Sequence, residues 1–237
     1  MRSALHDAAV VAVNAHGCND RGMSAPTEMI ASAVTATADA ITAFGDDLTS
    51  PFREREMQDM LVAALATAIV TEGAALTVKP NLGVKFAEWS GVGPVDVSLL
   101  DQHGAAAAFL ELKWGSNALY NCIWDLPKMS VALALGQAPR AYLIAGAPAD
   151  GWRTADGAEL FGSGVWSVAE LLSKYAKHWK FWRGDVKTHP VSLPTTTETQ
   201  SVTAAPMEVR GEAWELRCVE VVGAGRDWLD VTAADSL

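Results

Sequence analysis

Residues 94 to 115 read PVDVSLLDQHGAAAAFLELKWG, two apolar, strand-like runs joined by the turn-forming tetrapeptide Asp101–Gly104. A hairpin of this kind commits the segment to a β-sheet, with successive side chains on opposite faces. It also carries Asp96, Glu111 and Lys113, which core-bound strands normally exclude because an unpaired buried charge costs several kcal/mol. Either these charges face water or they form a site. Pairing Leu100 with Ala105 sets Asp96 opposite Phe109 and diagonal to Glu111, whereas a slip of two residues, as a β-bulge allows, sets Asp96 directly opposite Glu111. Both registers keep parity. Asp96, Glu111 and Lys113 then share one face near one end of the hairpin, with Val95, Val97, Leu110 and Leu112 on the other.

The flanking sequence supplies helices. Residues 26 to 44 carry apolar side chains at helical spacing, with Pro26 at the start and Gly45 just past the end. From 50 to 73 the pattern is stronger: Ser50 suits the N-cap and Pro51 the first helical position. Met57, Leu61, Ala64, Leu65 and Ala68 then form one stripe before Gly73. Short runs with turn signals follow, then a helix over roughly Ala118 to Leu135 that stops at Gly136, then RAYLIAGAP as a buried strand. Residues 164 to 183 read as one helix, LPTTTETQSVTAAP as a Thr-rich loop or linker, and EAWELRCVEVV as a late strand. No internal repeat is visible. This order predicts an α/β (α+β) fold, a mixed central sheet with helices on both faces. It divides into an N-terminal helical extension (1–48), a core (49–150) and a C-terminal helix and strand extension packed on the core (151–237).

Two carboxylates converging on one spot are what a hard divalent cation such as Mg²⁺ takes as ligands, completed by water and phosphate oxygens. A lysine beside it can orient or deprotonate water, or stabilise charge developing on phosphate. Such a site suits phosphodiester hydrolysis. The bland alternative is that Asp96 and Glu111 sit at strand ends in water, with Lys113 as an ion-pair partner worth less than ~1 kcal/mol.

The PVD that ends at Asp96, followed after fourteen residues by the ELK of Glu111–Lys113, resembles the signature of the PD-(D/E)XK nuclease superfamily. The resemblance covers roughly residues 50 to 148, where the order of helix, three-stranded meander, helix and strand is that of the restriction-endonuclease-like core. It departs from the pattern in placing Val95 between Pro94 and Asp96. The resemblance implies a metal-dependent nuclease, a DNA endonuclease, with Mg²⁺ as cofactor and Mn²⁺ able to substitute. Asp96, Glu111 and the backbone carbonyl of Leu112 would be its ligands, and Lys113 would position water or stabilise charge. It also implies a catalytic Glu in the first core helix. Glu54, on the inward stripe, is preferred to Glu56, which lies farther round the helix. The alternative is a catalytically inactive domain of the same fold that binds nucleic acid or protein; a third is an unrelated α/β protein with a chance motif.

Asp125 and Lys128 lie three apart on the next helix, either as a surface pair or, for Lys128, as a polar group directed at the site or the DNA; Trp124 reads as core. Lys174, Lys177, Lys180, Arg183 and Lys187 are interleaved with Tyr175, Trp179, Phe181 and Trp182, in a chain whose formal charge is −10. That local inversion makes a nucleic-acid contact, or else an amphipathic helix with buried aromatic rings and solvated lysines. Asp101 and His103 serve the turn. The overall acidity argues against a protein coated in basic surface. Three scattered cysteines, Cys18, Cys122 and Cys218, suggest neither a disulfide framework nor a zinc site and fit a reducing cytoplasm. No run approaches the ~20 apolar residues needed for a membrane span, and the N-terminus reads as mature cytoplasmic sequence, with Met23 an alternative start. One site per chain and two strands to cut would favour a homodimer.

Overall fold

The computed structural model describes residues 25–44, 52–85, 92–174 and 191–231. Helices α1 (Ala25–Phe44) and α2 (Glu54–Glu72) precede a meander of β1 (Leu76–Lys85), β2 (Val92–Asp101) and β3 (Ala106–Trp114). Helix α3 (Ala118–Ala134) then crosses over to β4 (Ala141–Pro148), which lies parallel to β3. A short helix α4 (Gly151–Thr154), a 3₁₀ turn, β5 (Gly164–Ser167) and α5 (Val168–Lys174) follow. The chain ends with β6 (Val191–Pro194), the long β7 (Thr196–Val209), β8 (Glu212–Ala224) and β9 (Trp228–Val231). The main sheet is seven-stranded in the order β1-β2-β3-β4-β8-β7-β5, and only β3–β4 is parallel. Strands β6 and β9 pair separately.

Helices cover both faces, as the sequence pattern predicts. Met29, Ile30, Val34 and Ile41 of α1 and Met57, Leu61 and Leu65 of α2 pack on Val97, Leu110, Leu112, Tyr142, Ile144 and Cys218. Leu119, Ile123, Leu126 and Met129 of α3 pack on Phe109, Leu143, Ala145, Val219 and Val221 on the opposite face. Each fully buried Leu or Ile contributes about 2 kcal/mol of burial, which holds the layers together. Strand β4 is buried from Ala141 to Ala147 because both its faces are covered. Among the described residues no helix is long and apolar enough to cross a membrane.

Several expectations need correction. The Thr-rich stretch read as a loop is most of β7. Its β-branched residues suit a strand, and Thr197, Thr199, Ala205 and Met207 are buried. Residues 164 to 183 are not one helix, because Gly164–Ser167 pairs with β7 and Trp166 Nε1 donates to Thr199 Oγ1 at 2.8 Å. Helix α2 starts at Glu54, with Arg53 as an extended N-cap whose N–H donates to the Glu56 carboxylate at 2.9 Å. Ser50 and Pro51, expected at that start, lie outside the described residues, as do Lys177, Lys180, Arg183 and the side chains of Lys174 and Trp124.

Candidate functional site

The β2–β3 hairpin pairs Leu100 with Ala106, then shifts register between Leu99 and Leu100, so that Leu99 faces Ala108 and Val97 faces Leu110. That bulge carries Asp96 toward Glu111, close to the slipped register considered above. The Asp96 carboxylate accepts the N–H of Leu112 at 2.7 Å, which ties β2 to the strand that bears Glu111 and Lys113. Val95 departs from its expected neighbours: it packs in the α3-side cluster, while Val97, Leu110 and Leu112 pack on the α1–α2 side. The chain is irregular there, since the neighbouring strand β1 carries Asn81 in the left-handed region at φ 53.

Lys113 is the hub. Its Nζ lies 3.2 Å from Asp125 Oδ2, 3.8 Å from Asp96 Oδ2, 3.9 Å from Glu111 Oε2 and 4.0 Å from Glu54 Oε1. It also donates to the Leu112 carbonyl at 2.7 Å. Lys128 Nζ donates to Glu111 Oε1. Four carboxylates from α2, β2, β3 and α3 thus surround two ammonium groups at the carboxyl end of β3. Glu111 is 3% exposed, Asp125 5% and Lys128 7%, so this charge is withheld from bulk water. Asp125 Oδ2 accepts no hydrogen bond, despite the ammonium 3.2 Å away.

Glu54, Asp96, Glu111, Lys113 and Lys128 are therefore brought together. Glu56 is not among them: it is exposed and caps α2. Asp125 and Lys128 are not a surface pair, because both are buried against the site. The sequence pattern presents Asp125 only as a surface-pair candidate and does not single out Gln58. Asp125 lies three residues after Cys122 and four before Met129, a carboxylate inside an apolar stripe, and that placement is its signal. Gln58, one turn after Glu54, donates to the backbone carbonyl of Asp96 and to Asn81 Oδ1, fixing the bend in β2 from the helix side.

Burial pushes the Glu111 carboxyl well above its ordinary 4.5, and the Asp125 carboxylate adds to the rise, outweighing the pull of Lys128. Burial raises Glu54 in the same way, against the attraction of Lys113. For Lys113 burial acts downward, but the carboxylates of Asp125, Asp96, Glu54 and Glu111 prevail and raise it, so it remains an ammonium. The two raised acids set a pH dependence for the metal-free protein. Above about pH 4.5 the unfolded chain has released protons that folded Glu111 and Glu54 still hold, so stability falls as pH rises toward their folded values. The contribution of Lys113 is complete below its ordinary 10.5 and does not offset this fall. Melting in EDTA from about pH 5 to about pH 8 should show a declining Tm, with a shallower decline in Glu111→Gln. A Tm that rises with pH equally in both proteins would contradict the assignment.

The donor set is all oxygen, the type a hard cation prefers, and four carboxyl groups outnumber the two ammonium groups. As they stand, however, no three His, Cys, Asp or Glu side chains among the described residues are close enough to hold a metal ion. The chemistry of the donors fits a divalent cation; their spacing is set by the ammonium groups between them. No family model matches the chain, and neither a curated protein nor a solved structure matches it significantly.

Proposed function

We propose that this protein is a Mg²⁺-dependent nuclease, a DNA endonuclease with a restriction-endonuclease-like core of the PD-(D/E)XK kind. The observation that carries this reading is the convergence of Asp96, Glu111 and Lys113 with Glu54 and Asp125 at the carboxyl end of β3. Ligands of open α/β sheets bind at such strand ends. Further support comes from the order α2, β1–β2–β3, α3, β4, which is the order the resemblance implies, and from Asp125 Oδ2, a buried carboxylate oxygen without a hydrogen bond.

Asp96, Glu111 and the Leu112 carbonyl would hold the cation, which supplies Lewis acidity and a more acidic water. Lys113, kept protonated by its neighbours, would orient that water by donating to it and meet charge building on the phosphate; it is not a base. Asp125 and Glu54 would fix the Lys113 ammonium between the helices.

A second reading, a catalytically inert domain of this architecture that binds nucleic acid or protein, draws on the same lysines: they already neutralise part of the carboxylate charge. Plasmid nicking with Mg²⁺ or Mn²⁺ separates the two. Wild type should nick, and Asp96→Ala should lose about a hundredfold or more. A folded wild type that leaves DNA and RNA intact supports the inert domain, and equal nicking by both proteins points to a contaminant and overturns the assignment.

A further inference from the structure

Resting on that reading, we infer that Asn81 and Gln58 are positioning residues for Asp96: they hold a kink shared by β1 and β2 that turns the Asp96 carboxylate out of the regular strand alternation and onto the Leu112 N–H, beside Lys113. Alternate residues of a regular strand share one face. Here they do not. On β2, Val97 packs in the α1–α2-side cluster and Val95, two residues before it, in the α3-side cluster. Strand β1 makes the same change, with Leu76 and Val78 on the α1–α2 side and Leu82 and Val84 on the α3 side. The two changes meet at one place, because the pairs Pro80–Val97 and Leu82–Val95 set Asn81 opposite Asp96. Asn81 has φ 53, a left-handed conformation that asparagine and glycine take readily and β-branched residues resist.

That kink supplies a direction a regular strand does not. Strand side chains stand roughly perpendicular to the sheet, whereas backbone N–H groups point along its plane toward the neighbouring strand. A carboxylate that accepts the Leu112 N–H at 2.7 Å has therefore left the regular direction, and it lies 3.8 Å from the Lys113 ammonium. Asp96 also falls outside the β2–β3 ladder, whose pairs run from Val97 to Leu100. Its carbonyl is taken by Gln58 Nε2, which reaches Asn81 Oδ1 at 3.4 Å as well. One side chain of α2 thus ties the two kinked strands together.

The test reads geometry and turnover separately. In ¹H–¹⁵N spectra of the full chain in EDTA, the Leu112 amide proton should move upfield in Asp96→Ala as its charged acceptor is lost. Asn81→Val and Gln58→Met should move it the same way, while Asn81→Gly, which keeps the left-handed turn, should leave it close to wild type. With Mg²⁺, kcat for nicking should fall about tenfold to a hundredfold in Asn81→Val and Gln58→Met with little change in KM, the scale for a reacting group displaced by ~1 Å. Asn81→Gly should retain most of the wild-type kcat. Gln58→Met keeps the test decisive if Asn81→Val does not fold. A Leu112 amide unmoved in the folded variants, a wild-type kcat in Gln58→Met, or an Asn81→Gly as damaged as Asn81→Val overturns the inference and leaves the nuclease reading standing. If a folded wild type leaves nucleic acid uncut with Mg²⁺ and Mn²⁺, the nuclease reading falls and the positioning role with it, even where the Leu112 amide moves as expected.

Discussion

Lys113→Ala should reduce Mg²⁺-dependent nicking by about a hundredfold or more, the scale seen when one preorganised donor to a developing oxyanion is removed. The substitution has a second signature. Without the Lys113 ammonium, four carboxyl groups are left with the single charge of Lys128, and breaking one side of a buried ionic cluster is strongly destabilising. Because Lys113 keeps some exposure and Glu54 is nearly half exposed, solvent screens part of that cost. The variant should therefore melt below wild type in EDTA and regain much of the difference in Mg²⁺, since a cation that binds only the folded state stabilises it by mass action. Recovered stability with absent nicking would locate the role of Lys113 at the phosphate. Undiminished nicking would remove it from the mechanism.

Gly157→Ala should be among the most damaging single-methyl changes in the chain. Gly157 has φ 92, in the region that side chains avoid, and a Cβ there would lie 2.2 Å from the backbone oxygen of Leu119 in the first turn of α3. Backbone strain and overpacking each cost about 1–3 kcal/mol, so a Tm lower by roughly 10 °C is expected for a chain of this size. The damage should also reach the site. Residues 157 and 119 clamp the start of the helix that presents Asp125 and Lys128, so Mn²⁺ affinity should weaken in the folded variant. A wild-type melting curve for Gly157→Ala would show that this close approach does not constrain α3.

What could be read from the sequence was what depends on local period. Hairpin alternation alone puts Asp96, Glu111 and Lys113 together, and helical spacing with Gly73 and Gly136 as stops fixes the C-terminal ends of α2 and α3. What could not be read depends on partners distant in the chain. Gly164–Ser167 is a strand because β7 lies beside it, and the Thr-rich segment is a strand because β8 and β5 flank it. Loop-like composition hid an alternation in which Thr197, Thr199, Ala205 and Met207 turn inward. Asp125 was harder still. Its place in the apolar stripe between Cys122 and Met129 turns it inward, but spacing alone does not say what it meets there, which the strand beneath α3 supplies.

The position of β4 has a consequence for anyone preparing fragments. It is hydrogen-bonded to β3 on one side and to β8 on the other, with every residue from Ala141 to Ala147 buried. A polypeptide ending near residue 150 would keep all the candidate catalytic groups and lose β8, leaving an unprotected apolar strand with free backbone donors and acceptors along its length. Such an edge recruits other chains. The expected product is inclusion bodies or fibrils, and insolubility of that fragment would say nothing about whether its chemistry is intact.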